Sequence, residues 1–339
     1  MTSYGYYALS RPNQIKTVNS GNKNALLLLL NYAYSKTGLA TGIVGNSTNT
    51  SGSIFTINEQ DNYDALRRLT IASDISGTTT NISYAYDANS NRLTQNVNNI
   101  PTTYTYTNGN LLNSSYTNTS PSTSVRYTND ANDNPQYKYV TVSGTTTTTA
   151  YSFGVLNRLY SVSVGSSQAG RYGYDGLNRR VVSVENIATT YYAYLGTNVL
   201  YSFTGSIPTD YVFANGLLIA KVVSGGSPNY YHSDIIGSTR LVTDSANSVN
   251  VLFSNGYQPF GQDNGRASGS ETYKFTGKPY SSTNGLYYEF QRWYDNATGR
   301  FISQDPLPGH LRNPQSLDAF SYVLNQPTRL VDPSGESTR

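Results

Sequence analysis

Tyr172-Gly173-Tyr174-Asp175-Gly176-Leu177-Asn178-Arg179-Arg180-Val181-Val182 reads as a complete β-hairpin. Side chains alternate along a strand, so Tyr-x-Tyr sets two rings on one face. Asp and Asn tolerate the positive φ angles and supply the Asx hydrogen bonds that a tight connection needs. The β-branched pair at the end resumes a second strand. The same grammar recurs in Tyr84-Ala85-Tyr86-Asp87 before Arg92-Leu93-Thr94, in Tyr63-Asp64 before Arg67-Arg68-Leu69-Thr70, and in Phe153-Gly154 before Asn157-Arg158-Leu159.

The repeat has a period. Tyr84, Tyr104, Tyr127, Tyr151, Tyr172, Tyr192, Tyr211 and Tyr231 stand 20, 23, 24, 21, 20, 19 and 20 residues apart. Fainter copies, Tyr4 to Tyr7 before Arg11-Pro12 and Tyr32-Ala33-Tyr34 before Lys36-Thr37-Gly38-Leu39, carry it to the N-terminus, giving about ten units before residue 240. One such hairpin cannot bury its face alone, so neighbours are expected to pair edge to edge into a long sheet. The expected fold is all-β, with under about a tenth of the residues helical.

Composition supports this. Of 339 residues, 13% are charged against a usual ~25%, and 32 are tyrosine. Aromatic residues at 13% argue against disorder, because that many rings would forfeit their burial. The net charge of +3, from 23 basic and 20 acidic residues thinly spread, offers no phosphate-neutralising patch, so no nucleic-acid partner is expected. With Cys 0, disulfides and thiolate metal sites are excluded, and no cofactor or metal is expected. Met1 to Arg11 lacks the pattern of a signal peptide. The longest apolar run, Ala25 to Leu30, is far short of the ~20 residues of a membrane helix and reads as a buried strand, so no membrane span is expected. The polar segments Asn46 to Ser53 and Ser143 to Thr149 read as solvent-facing loops and threonine-rich edge strands.

From Tyr230 the pattern becomes denser: Tyr231-His232-Ser233-Asp234, Gly237 to Asp244, Phe275-Thr276-Gly277, Arg292-Trp293-Tyr294-Asp295, Gly299 to Pro306 and Tyr322 to Gly335. The repeats resemble the tyrosine-aspartate (YD) repeats of Rhs proteins, and residues 230–335 resemble the Rhs repeat-associated core segment. Relatives in that family include polymorphic toxins, shell components of insecticidal toxin complexes, and teneurins. The resemblance implies a β-ribbon that spirals into a curved, partial shell, with the C-terminal segment folded inward as a plug. It divides the chain into a YD-repeat region, 1–229, and a core segment, 230–339. Trp293, Tyr294, Phe301 and Tyr322 are expected to be buried together in that plug.

The candidate chemistry lies in Asp295, Asp305 and Asp332, with Arg292 and Arg300 near them in sequence. Two carboxylates sharing a proton can act as an acid and base pair. The resemblance attributes self-cleavage to such a pair and places it at Asp305 and Asp332; Arg300, near them in sequence, is taken as a third candidate catalytic residue. Asp305-Pro306-Leu307-Pro308-Gly309 carries one residue more than the family pattern. Asp-Pro is equally a turn opener, so a plug-shaping role stands beside the catalytic one. His232, beside Asp234, reads as a structural hydrogen-bonding group, since two histidines and no cysteine make a poor ligand set.

These readings point to the encapsulating shell portion of an Rhs-type secreted or cell-surface protein. Its expected partner is a capping shell protein or an enclosed effector. Because the sequence stops at Arg339, four residues after Gly335, it is read as lacking an effector of its own. Two alternatives stay open: a carbohydrate-binding adhesion protein, its tyrosines stacking on a glycan, and a self-cleaving aspartyl protease.

Overall fold

The computed structural model describes residues 1–7, 10–19, 25–76, 79–244 and 250–336. In chain order the strands are β1 (Thr2–Tyr6), β2 (Pro12–Asn19), β3 (Ala25–Tyr34), β4 (Ala40–Thr48), β5 (Ile54–Tyr63), β6 (Leu69–Asp74), β7 (Thr80–Tyr86), β8 (Arg92–Val97), β9 (Ile100–Thr107) and β10 (Leu111–Thr117). Next come β11 (Thr123–Asn129), β12 (Pro135–Val142), β13 (Thr145–Phe153), β14 (Leu159–Val164), β15 (Ser167–Tyr174), β16 (Arg180–Glu185), β17 (Ala188–Leu195), β18 (Asn198–Thr204), β19 (Ile207–Ala214) and β20 (Leu217–Val223). The last eight are β21 (Asn229–Ser233), β22 (Thr239–Thr243), β23 (Val251–Ser254), β24 (Ser268–Gly269), β25 (Tyr280–Ser281), β26 (Leu286–Tyr288), β27 (Trp293–Asp295) and β28 (Arg300–Phe301). The described residues contain short 3-10 turns but no α-helix, as the repeat grammar predicts.

Each of the first 23 strands pairs antiparallel with the next in sequence, so β1 to β24 form one uninterrupted meander. The pairing crosses residue 230 without a break, from β20 to β21 and on to β24. The remaining strands, β25 to β28, form a second small sheet.

The tyrosine-aspartate pattern arises from two local bonds. At the turns opened by Asp64 and Asp175 the carboxylate accepts N–H groups two and four residues on: Asp175 from Leu177 and Arg179 at 2.9 and 3.0 Å, Asp64 from Leu66 and Arg68, both at 2.9 Å. Asn178 and Arg67 complete these loops at positive φ, a backbone that Asn reaches cheaply and Arg does not. A tyrosine at or next to the end of a strand then donates its hydroxyl to the carbonyl of the residue that opens the preceding strand. Tyr34 donates to Pro12 O, Tyr86 to Leu69 O, Tyr106 to Arg92 O, Tyr174 to Leu159 O and Tyr194 to Arg180 O, all at 2.8 Å. Each repeat is thereby fastened to its predecessor by a side chain as well as by the β-ladder.

Ribbon curvature returns the chain to its own start. Leu241 of β22 packs among Ile15, Leu28, Leu30, Tyr32 and Ile57 of β2, β3 and β5. Arg240 reaches Glu59 at 3.1 Å, and Arg266 reaches Asp74 at 3.4 Å. This second layer explains why Leu27 and Leu28, adjacent in β3, are both buried, as the buried-strand reading of that apolar run requires.

Two expectations need correction. The threonine-rich segments are not edge strands: Thr145–Phe153 is β13, hydrogen-bonded on both sides, and Asn46, Ser47 and Thr48 close β4 between β3 and β5. Threonine's branched Cβ suits any strand of a ribbon whose faces stay partly wet. The plug aromatics are all buried but do not form one cluster. Tyr294, Phe301 and Tyr322 pack with Phe275 and Tyr287, whereas Trp293 packs with Tyr151, Leu159, Val162 and Tyr172 of the shell. Adjacent residues of β27 must face opposite ways, so Trp293 meets the shell while Tyr294 fills the plug.

Candidate functional site

The turn between β26 and β27 carries Arg292 into the plug, where Phe301 lies under its guanidinium at 3.5 Å from the ring centroid. Nη2 donates to Asp305 Oδ2 at 2.8 Å and to Asp332 Oδ2 at 3.3 Å, Nη1 donates to Ala319 O at 2.9 Å, and Nε donates to Gly335 O. Arg292 and Asp332 are both buried. One guanidinium nitrogen thus joins two carboxylates that lie 27 positions apart in the chain, at 305 and 332.

The segment after Asp332 is held as tightly. Asp332 Oδ1 accepts N–H groups from Ser334, Gly335 and Glu336 at 3.3, 2.8 and 3.1 Å. Lys278 Nζ donates to Pro333 O at 2.6 Å, and Gln291 N–H to Ser334 O at 3.0 Å. Gly335 has φ +74°, and a Cβ there would collide with Glu289 O, so any side chain would push the turn out of its seat. Beside Val331-Asp332-Pro333 opens a cavity of about 420 Å³, walled by Tyr194, Phe213, Tyr288 and Phe290.

Burial governs the electrostatics. It pushes the Asp305 carboxyl up from its ordinary value, with Asp332 adding to the rise and Arg292 opposing it. Glu289 goes up to about 8 for the same first reason: it is fully buried, with no hydrogen bond to either carboxyl oxygen and Lys278 Nζ 3.6 Å away. The Arg292 guanidinium is pulled down by burial despite its two acidic partners.

Of the residues singled out from sequence, Asp305 and Asp332 meet on Arg292, and Arg300 lies elsewhere. Arg300 holds both oxygens of Asp318 at 3.1 and 3.2 Å, and also bonds Asn91 Oδ1 at 3.2 Å and Asn110 O at 2.6 Å, riveting the plug to shell turns. Asp295 pairs with Lys138 of β12 at 3.4 Å. His232 is buried among hydroxyls, with Nδ1 2.9 Å from Thr2 Oγ1 and Nε2 3.0 Å from Thr243 Oγ1, and burial pushes it down to about 4. Among the described residues no cluster of His, Asp and Glu suits a metal ion, and no helix is long and apolar enough to cross a membrane. Sequence reading missed Glu289 and gave Arg292 no role. The available signal was an ionisable pair set in the aromatic run Leu286 to Tyr294.

No protein-family model matches the chain. Among solved structures, the TcdB2-TccC3-Cdc42 crystal structure superposes with a TM-score of 0.60 at 17% identity, covering 98% of this chain and 20% of that one. The shared fold therefore takes in nearly the whole ribbon and its plug. The chain is similar to Rhs-type YD-repeat proteins. Curated relatives agree with this. The tRNA3(Ser)-specific nuclease WapA of Bacillus spizizenii is 27% identical over 172 residues, 48% of this chain and 7% of the relative. Toxin protein Tse5 of Pseudomonas aeruginosa is 39% identical over 71 residues, 21% and 5% respectively. Toxin subunit YenC1 of Yersinia entomophaga is 30% identical over 119 residues, 33% and 12%. The chain therefore spans a small part of the length of the proteins it resembles.

Proposed function

We propose that the chain is the encapsulating portion of a secreted Rhs-type protein, in which the core segment, 230–339, carries the plug and releases a C-terminal segment by self-cleavage. The shell fold is common to its toxin-related relatives; the observation that carries the finer reading is the meeting of Asp305 and Asp332 on one buried guanidinium. Arg292 keeps the two carboxylates within reach of each other and holds Gly335 O, which fixes the adjoining peptide against them. Asp332 is locked by three N–H donors. Asp305 is the more exposed of the two and holds its proton more readily than an ordinary carboxyl.

In the proposed reaction one carboxylate takes a proton from water as it adds to a peptide carbonyl near Gly335, and the protonated partner donates to the departing amide nitrogen as the C–N bond breaks. The cavity beside Asp332 supplies the space for that water. Arg300 has no part in this step and serves instead to hold the plug in the shell.

A compact reporter domain fused after Arg339 tests the reading. Mass spectrometry should find it cut near Gly335, and Asp305→Asn or Asp332→Asn should abolish the cut while the repeat region keeps its fold. An intact fusion after days between pH 4 and 8, or cleavage that survives either substitution, would sink the self-cleavage proposal and leave both Asp-Pro turns as plug-shaping elements.

A further inference from the structure

Glu289 directly follows β26, is 0% exposed, and has no hydrogen-bond partner on either carboxyl oxygen. An acid buried so deep without a partner is costly, and a fold that keeps one has a use for it. The backbone of the residue is fully employed. Glu289 O accepts from Gln291 N–H at 3.0 Å, the same N–H reaches Ser334 O at 3.0 Å, and the Glu289 carbonyl lies against Gly335. Residues 289–291 thus form the floor under the turn 332–336, and the Glu289 side chain is the part that this floor does not require.

One ammonium stands between that side chain and the turn. Lys278 follows the Phe275–Gly277 turn, and its Nζ donates to Pro333 O at 2.6 Å while lying 3.6 Å from Glu289 Oε2. The other charged or titratable groups facing Glu289 are Arg292, Asp332 and the hydroxyls of Tyr294 and Tyr322. Arg292 commits its three nitrogens to Gly335 O, Ala319 O and the two aspartates, so Lys278 is the cation that can answer Glu289. A neutral carboxyl competes weakly with a peptide carbonyl for an ammonium. An ionised one, in a site of low dielectric, attracts it as a full opposite charge.

We infer that Glu289 is a positioning residue for the C-terminal turn: protonated, it leaves Lys278 on Pro333 O and the turn 332–336 seated, and ionised, it draws the ammonium across and unseats the turn. Burial favours the first state, holding the carboxyl up at about 8, with Lys278 opposing the rise and Asp332 adding to it. The seated turn therefore binds the proton more tightly than the unseated one. Raising the pH toward 8 favours the unseated turn, by up to about tenfold per unit, and above that the effect levels off. Only the purpose of the turn rests on the self-cleavage reading; the catch itself stands on residues 278, 289 and 333.

Hydrogen exchange of residues 330–336 in the full chain, corrected for the intrinsic rise of exchange with pH, reads whether the turn is seated. Protection should fall about tenfold or more between pH 6 and pH 8 and then level off. Glu289→Gln keeps the shape of the protonated acid without a proton to lose, and should abolish that fall. Lys278→Met should lower protection already at pH 6 and remove most of the dependence on pH. Circular dichroism checks that each variant is folded; if Lys278→Met is not, Glu289→Gln decides alone. No fall in the unsubstituted chain, or an equal fall in Glu289→Gln, overturns the inference. A reporter fusion that stays intact at every pH while these exchange results hold counts against self-cleavage and leaves the catch standing.

Discussion

Trp293 is the place where the joint between plug and shell can be measured. Its ring is 2% exposed, lies 4.5 Å from the Tyr172 ring and 5.2 Å from that of Tyr288, and donates its indole N–H to Tyr174 Oη at 3.1 Å. It also forms one wall around the buried Arg180 guanidinium, 5.3 Å from the ring centroid, with Tyr192 and Tyr288 completing the enclosure. Trp293→Ala should therefore cost about 3 to 5 kcal/mol, the range for a large buried ring whose cavity cannot collapse. The rigid sheet on one side and the paired β27 on the other place the value near the upper end. Trp293→Phe keeps most of the packing and loses the N–H bond, worth about 0.5 to 1.5 kcal/mol. Equilibrium guanidinium denaturation monitored by circular dichroism measures both. Because Trp293 is the only tryptophan, iodide quenching of the native protein gives an independent check, with a quenching constant well below that of free indole. A Trp293→Ala cost under about 1 kcal/mol, or quenching like that of free indole, would refute the packing argument.

Tyr86→Phe removes one hydroxyl from the ladder between repeats, the bond to Leu69 O. It should lower stability by about 0.5 to 1.5 kcal/mol in the same denaturation assay, with no change in cleavage of a reporter fusion. The pH dependence of stability should be two-sided. Glu289, pushed up to about 8, keeps in the native state a proton that the unfolded chain releases above its ordinary value of 4.5, so its contribution is lost as pH rises through that window. His232, pushed down to about 4, acts the other way: its contribution is complete above its ordinary 6.5 and is lost as pH falls through 4. Glu289→Gln should flatten the alkaline limb of a denaturation-midpoint profile and leave the acid limb in place.

The repeats are legible in the sequence because everything that makes them is local. The Asx turn at Asp175 closes within four residues, and the tyrosine ladder reaches back 14 to 22 residues at Tyr106, Tyr194, Tyr174, Tyr86 and Tyr34. A recurring string therefore records nearly every bond it forms. Thr145–Phe153 is harder to read, because a run of threonines carries no apolar alternation and its composition is that of a loop, although the strand has partners on both sides. The plug obeys no period. Two of its arginines are eight residues apart, at 292 and 300, and carry similar neighbours, yet Arg292 collects Asp305 and Asp332 while Arg300 collects Asp318 and two shell turns. Nothing in the string Arg-Trp-Tyr-Asp or Gly-Arg-Phe-Ile tells them apart. The difference comes from the side of the small sheet on which each lies: Arg292 precedes β27 and closes over the C-terminal turn, whereas Arg300 opens β28 opposite Asp295 and faces the turns before β8 and β10. In a buried plug of this size a charge is stable only where a partner waits, so the role of each arginine is set by which carboxylate the inward fold delivers to it.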